Sequence, residues 1–352
     1  VTMRIRLAVL GYGNVGQALT RLLIRKEATL RDHYGLSCTM TGVLTRRSGG
    51  WIAAEGIAPA DLVASGWPQG ILPAGAGPWT GNGVAFARAC PADVLVEVTT
   101  LDPQRGEPAL SHVRAALASG KHVVTANKGP IAHSYRELRE LARRQSRHLR
   151  FESTVLDGLP IFNMAEFALR ATTITGFRGI LNGTSNYVLG MMARGATLEN
   201  AVHAAQQLGI AEANPAYDLE GWDAAVKGVA LANVLMDADL RPADVQRIGL
   251  GADVMRARSA TIPAGRVLKQ IATGTRVGEQ ITVRVQLEEL PGDDLFALAR
   301  TAIALQTDTM GTITVIEDEG GPEFTAFGLL SDLVNIAIGI GAHPGNTEVA
   351  PA

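Results

Sequence analysis

The sequence predicts an α/β protein, a Rossmann-type doubly wound parallel sheet joined to a second domain of the α+β class. Three observations carry that prediction. A strand-like run at residues 4–10 passes straight into Gly11-Tyr12-Gly13-Asn14-Val15-Gly16 and then into an amphipathic helix with Leu19, Leu22 and Leu23. Two near-continuous apolar runs, 93–98 and 122–125, flank a helical stretch, as parallel strands covered on both faces should. Beyond residue 150 the pattern changes to alternating strands and small polar residues at a strand–helix junction.

Each element has a local reason. A lone G-x-G-x-x-G is a weak signal, but between a strand and a helix it has specific physics. Small glycines let the backbone approach a pyrophosphate, which sits against unpaired N–H groups at the helix N-terminus. Gly11, Gly13, Asn14, Val15 and Gly16 are therefore candidate dinucleotide contacts. The second strand, 39–44, ends in Thr45-Arg46-Arg47-Ser48. An acid here would bind the ribose 2′-hydroxyl of NAD, whereas an arginine accommodates the 2′-phosphate of NADP. Arg46 and Arg47 favour NADP; NAD and a merely solvated basic loop stay open as alternatives. Residues 49–83, rich in Gly, Pro, Ala and Trp, read as short helices and loops.

The strand at 93–98 ends in Thr99 and Thr100, whose hydroxyls are expected to point into the ligand crevice at the carboxyl end of the sheet. A helix over 108–119 leads to the strand at 122–125 and then to Lys128, again just past a strand end. A charged helix, 135–147, closes a first domain of residues 1–150. A second domain, 151–319, opens on a strand at 151–155 and a tight turn at 156–160. The run 179–189 reads as a strand feeding a helix, with small polar residues that suit recognition of a carboxylate. A polar helix at 198–208 follows, then strands at 282–288 and 312–316 flanking a helix from 295 to 304. Residues 320–352 carry a last helix, 324–340, expected to return to the first domain.

The chemistry concentrates in residues 212–227. Four carboxylates (Glu212, Asp218, Glu220 and Asp223) and one ammonium, Lys227, fall there, and residues 228–236 carry no charge. Asp223 and Lys227 are i,i+4 neighbours on a helix that is apolar nearly all round. A surface salt bridge worth roughly a few tenths of a kcal/mol is the bland reading. Burying such a pair costs desolvation energy, so a cleft that needs both charges explains the pattern better.

Composition narrows the partners. The 352 residues are 47% hydrophobic and 19% charged with a formal net charge of −2, which gives no electrostatic reason to expect nucleic acid or an anionic membrane. No apolar run approaches the roughly 18 residues that span a bilayer. The N-terminus lacks the features of a signal peptide. Cys38 and Cys90 are too few for a disulfide framework, and the seven histidines are scattered without a metal spacing. A cytoplasmic protein without a transition metal, its cysteines buried and structural, is expected.

Together these features resemble homoserine dehydrogenase, the NAD(P)-dependent enzyme family that interconverts aspartate 4-semialdehyde and homoserine. The resemblance covers almost the entire chain. It rests on the glycine loop, Val-Val-Thr-Ala-Asn-Lys at 123–128, Gly-Ile-Leu-Asn-Gly-Thr-Ser-Asn-Tyr at 179–187, and the stretch from Glu212 to Lys227. It implies that Glu212 and Asp218 hold the substrate amino group and that Gly183 and Thr184 bind its amino-acid end. Asp223 would orient the reacting end, Lys227 would give or take the proton, and Lys128 would lie by nicotinamide and substrate. Gly11, Gly13, Val15, Gly16, Thr99 and Gly321 take the family's cofactor positions. Glu152 and the carbonyls of Val155, Asp157 and Leu159 match a family site for a monovalent cation such as sodium or potassium, and oxygen ligands suit a hard cation. The family resemblance also implies a homodimer, with the second domain serving both substrate binding and dimerisation.

The chemistry of the residues agrees. Hydride reduction of an aldehyde leaves an alkoxide that needs a proton and a nearby positive charge, which a partly buried lysine can supply near neutrality. Three departures from the family pattern stand out. Asp157 replaces a small residue, Gly-Gly-Pro-Glu-Phe-Thr-Ala at 320–326 lacks the usual Gly-Ala-Gly, and the chain ends soon after the last helix. Neither a kinase fusion nor a C-terminal threonine-sensing domain is therefore expected, nor feedback inhibition through one. A paralogous reductase of another small amino- or hydroxy-aldehyde and a non-catalytic NADP-binding regulator are the alternatives.

Overall fold

The computed structural model describes residues 2–211, 214–251, 255 and 262–341. They form two compact units, one of residues 1–160 with 320–352, the other of residues 161–319. Residues 151–160, expected with the second domain, cluster with the first unit.

The first unit is built on a seven-stranded sheet in the order β4-β3-β2-β1-β5-β6-β7. Its strands are β1 (Met3–Leu10), β2 (Leu36–Thr45), β3 (Gly49–Ile57), β4 (Gly77–Trp79), β5 (Val94–Glu97), β6 (His122–Thr125) and β7 (Leu149–Arg150). Strands β2, β1, β5, β6 and β7 run parallel. Helices α1 (Asn14–Arg25), α2 (Glu27–Tyr34), α3 (Pro59–Ala64), α4 (Gly83–Ala89), α5 (Ala109–Ala118) and α6 (Lys128–Arg144) connect them. Because side chains alternate along a strand, β1 feeds two cores. Ile5, Leu7 and Val9 pack with Leu19, Leu22 and Leu23 of α1, whereas Ala8 and Leu10 pack with Phe86, Val113 and Leu117. That two-sided burial makes the sheet doubly wound.

The sheet is longer than the sequence reading allowed. Residues 49–83 were expected as short helices and loops, yet β3 and β4 extend the sheet as antiparallel strands. Trp51, opposite Val43, is completely buried and supplies the apolar anchor. Gly50 permits the close pairing, since a Cβ there would lie 2.6 Å from the Val43 carbonyl oxygen. A second difference lies at 151–155, where a 3₁₀ turn, Glu152–Thr154, replaces the expected strand. Both the Thr154 hydroxyl (2.7 Å) and its N–H (3.1 Å) donate to the Phe151 carbonyl, a local alternative to a sheet ladder.

The second unit carries a six-stranded sheet in the order β13-β12-β8-β10-β11-β9. Its strands are β8 (Ile174–Ile180), β9 (Gln246–Arg247), β10 (Arg266–Val277), β11 (Gln280–Pro291), β12 (Thr301–Thr307) and β13 (Thr312–Glu317). Its helices are α7 (Ile161–Asn163), α8 (Gly183–Ala193), α9 (Leu198–Gln207), α10 (Ala216–Leu219), α11 (Trp222–Leu235) and α12 (Leu295–Leu298). Helix α11 lies close against β11, where a Cβ on Gly228 would meet Val283 at 2.9 Å. The helix expected over 295–304 is a single turn. The Asp294 carboxylate caps it by accepting from the Phe296 N–H at 2.8 Å, and the chain is already extended at Ala299. Thr301 and Ile303 then pair into β12 between β8 and β13.

The last helix, α13 (Pro322–Gly339), belongs to the first unit. Ala326, Leu329, Leu333 and Ile336 share one core cluster with α1 and β1. No helix among the described residues is long and apolar enough to cross a membrane.

Candidate active site

In the first unit the carboxyl ends of β1, β2 and β5 open onto a cavity of about 780 Å³. Gly11, Gly13, Arg46, Arg47, Thr99 and Thr100 line it, with no acidic residue among its lining groups. The three glycines of the loop have three different reasons to be glycine. Gly11 has φ +96°, and a Cβ there would sit 2.5 Å from the Val98 carbonyl oxygen. A Cβ on Gly16 would strike the Gly11 carbonyl at 2.6 Å, so α1 packs directly on the loop. Gly13 faces open space, which leaves its backbone available to an approaching phosphate. Asn14 and Val15 form the first turn of α1. The residues present thus fit a pyrophosphate.

Two buried groups, one in the wall of this cavity and one behind it, were not anticipated. Glu97, the last residue of β5, is completely buried. Its Oε1 accepts from the Thr99 N–H at 3.3 Å and from the Thr99 hydroxyl. The Thr99 hydroxyl proton is therefore directed at Glu97 rather than into the crevice as expected. His112 on α5, which also lines the cavity, places Nδ1 3.4 Å from the same oxygen. A lone acid inside an apolar run and a lone histidine on a helix carry no mutual spacing signal in sequence. Lys128 is the first residue of α6, directly after Asn127, whose side chain accepts from the Gly129 N–H at 3.0 Å.

In the second unit the charged stretch forms a buried polar cluster. Lys227 and Asp223 are separated by 3.1 Å, and the side chains retain 18% and 9% exposure. Lys227 Nζ also donates to the Leu181 carbonyl at 2.7 Å. The Asn182 amide donates to Asp218 Oδ1 and to Asp223 Oδ2, each at 2.8 Å, while its oxygen accepts from the Ser185 N–H at 2.7 Å. Asn182 is thus the N-cap of α8 and the bridge between two carboxylates. Its sequence signal was the cap position before Gly183. Thr184 donates to the Ile210 carbonyl at 3.0 Å, and a Cβ on Gly183 would face open space. Asp218, Asp223, Lys227, Gly183 and Thr184 therefore come together, with Asn182 and Ser185 added. Glu212 lies outside the described residues.

Glu152 and Val155 are buried, and Asp157 adopts φ 43°. The Asp157 carboxylate accepts from the Gly321 N–H at 3.0 Å and the Thr325 hydroxyl at 3.3 Å. The departure at Asp157 thus ties down the start of α13, and the N–H of Gly321 is directed at it. Among the described residues no group of three or more His, Cys, Asp and Glu is placed to hold a metal ion. Both cysteines are free, and burial pushes the Cys38 thiol up to about 12 and that of Cys90 to about 11. Neither is a thiolate nucleophile near neutrality.

A glycine cradle at a helix start, beside an arginine-lined cavity, defines a dinucleotide-binding protein, and the second unit adds a polar site with a paired lysine. Comparison with known proteins specifies the class. The family model described as "Homoserine dehydrogenase, NAD binding domain" matches residues 11–152, and that described as "Homoserine dehydrogenase" matches residues 160–334. A relative from Pseudomonas canavaninivorans, named NAD(+)-dependent homoserine dehydrogenase, is 37% identical over 94% of this chain and 96% of its own length. A homoserine dehydrogenase from Methanocaldococcus jannaschii is 32% identical over 93% of this chain and 97% of its own. The crystal structure of a putative homoserine dehydrogenase from Archaeoglobus fulgidus superposes with a TM-score of 0.79 at 30% identity, covering 95% of this chain and 99% of that one. The chain belongs to the homoserine dehydrogenase family, and with it to the NAD(P)-dependent oxidoreductases.

Proposed function

We propose that this chain interconverts L-aspartate 4-semialdehyde and L-homoserine with Lys227 as proton donor and acceptor. The observation that carries the assignment is the triple hold on the reacting end, with Lys227 against Asp223 and the Leu181 carbonyl, and Asp223 tied through Asn182 to Asp218. When bound, the nicotinamide supplies or accepts the hydride. The chain's own residues handle charge and position. Lys227 delivers a proton to the developing alkoxide, or removes it from the alcohol in reverse, and Asp223 fixes the ammonium for that transfer. Asp218 and Glu212 hold the substrate ammonium, and Gly183 and Thr184 its carboxylate end. By the family resemblance, Lys128 at the start of α6 would act beside the nicotinamide and add positive charge.

For the cofactor, Gly11, Gly13, Val15 and Gly16 receive the pyrophosphate, with Thr99, Thr100 and Gly321 as further contacts. Arg46 and Arg47 in the cavity wall favour the 2′-phosphate of NADP. The NAD(+)-dependent name of the Pseudomonas relative makes NAD the second reading. A monovalent cation at Glu152 and the carbonyls of Val155, Asp157 and Leu159 belongs to the same proposal, and activity titrated against sodium and potassium tests it. So does a homodimer built on the second unit. A cytoplasmic setting accords with the free cysteines.

The test is homoserine oxidation with NADP and NAD side by side. Robust turnover is expected, with higher kcat/KM for NADP. Lys227→Ala should lower kcat by roughly a hundred- to ten-thousandfold, the range for loss of a general acid–base group. Unchanged kcat in that variant would remove Lys227 from the proton path. A preference for NAD would leave the arginines as a solvated loop.

A further inference from the structure

His112, paired with the buried Glu97, lines the dinucleotide cavity but has no part in the proton chemistry above. Buried carboxylates need partners. That of Glu97 has the Thr99 N–H, the Thr99 hydroxyl and the His112 ring on one oxygen. A carboxylate oxygen only accepts, so Nδ1 of the His112 ring carries the hydrogen that faces Glu97, and Nε2 is the ring nitrogen left to meet a ligand. The ring is 5% exposed, yet it forms part of the cavity wall together with Asn82 and Gly83. Space for it is built in, since a Cβ on Gly83 would lie 2.2 Å from Nε2. Leu44, at the end of β2, packs in the same core cluster as Val84 and Phe86 of α4. His112 and Gly83 line the same cavity as Arg46 and Arg47, which follow the end of β2.

We propose that His112, its ring set by the buried Glu97, is a cofactor-binding residue whose Nε2 hydrogen-bonds a polar group of the adenosine half of the dinucleotide. Glu97 is a positioning residue acting through His112 and Thr99. The inference rests on the dinucleotide reading of this cavity.

The experiment is titration of the full-length chain with reduced dinucleotide, followed by nicotinamide fluorescence and paired with steady-state kinetics. His112→Ala should weaken binding about tenfold, the loss falling on the dinucleotide KM while the homoserine KM moves less than about twofold. His112→Gln, whose amide keeps a hydrogen-bonding group near the Nε2 position, should recover most of the affinity. Gly83→Ala, which crowds the ring without removing it, should weaken binding in the same direction, and so should Glu97→Gln. Affinity within about twofold of wild type for a folded His112→Ala would overturn the proposal. Equal weakening in His112→Gln and His112→Ala would also overturn it, because the ring would then be packing alone. A wild-type chain that binds no dinucleotide would instead remove the cavity reading, and this inference with it.

Discussion

Asn182 does at the residue scale what neither of its carboxylate neighbours can do alone. Asp218 and Asp223 face one neutral amide, whose two N–H groups donate one bond to each. The same side chain caps α8 through its oxygen. These roles can be separated. Asn182→Asp keeps the capping oxygen but replaces the two donors with a third negative charge between two carboxylates. Stability should fall by about 3 kcal/mol or more, since the added charge is buried against two like charges, and kcat falls tenfold or more because the carboxylate that holds Lys227 is displaced. Asn182→Ala loses the cap as well, which should cost about 1 kcal/mol of stability. Thermal melts and kcat, measured on both variants, distinguish them. Full activity in Asn182→Asp would show that the bridge has no part in presenting Lys227.

At the scale of elements, the edge of the first sheet contains a pH-sensitive joint. His122 on β6 accepts the His148 N–H at Nδ1 (2.9 Å), and the two rings stack with centroids 5.1 Å apart. Burial, helped by His148 and Arg147, pushes His122 down from 6.5 to about 4. Between these values the unfolded chain takes up a proton that the folded chain refuses, so this stability is complete above pH 6.5 and is lost as pH falls toward 4. Solvent screening reduces the contribution to about 1–2 kcal/mol. His122→Asn keeps an acceptor for the His148 N–H but cannot titrate. Its melting temperature should therefore vary less between pH 6.5 and 4, and an unchanged acid slope would assign the loss to other groups. The same edge shows what was legible in the sequence. Strands β1, β5 and β6 declared themselves as apolar runs, and the glycine loop declared its own turn. Strand β3 did not, because Gly49, Gly50 and Gly56 hide a strand held by one buried tryptophan. Strand β12 did not, because Ala302, Ala304 and Leu305 fit a helix as well as a strand until β8 supplies the pairing. In the site, charges spaced along α11 were legible. Asn182 and Glu97 matter through partners distant in sequence, and no local pattern records such pairs.

At the scale of the whole chain, residues 161–319 interrupt the sequence of the first unit, whose last helix comes from beyond the interruption. Helix α13 places Leu333, fully buried, in one cluster with Val9, Leu19 and Leu22. The glycine loop lies between β1 and α1, so the core that supports the cofactor cradle depends on a helix more than 300 residues later in sequence. Leu333→Ala should cost about 2–5 kcal/mol, since the surrounding helices and sheet close only part of the cavity left behind. Because the dinucleotide binds the folded unit, concentrations near 100 times Kd should restore about 2.7 kcal/mol. Melts of wild type and Leu333→Ala, with and without NADP, test the dependence directly. The transition lowered by the substitution should be the one that the cofactor raises. A substituted transition insensitive to the dinucleotide would mean that α13 folds apart from the cradle, and that the shared core does not support cofactor binding.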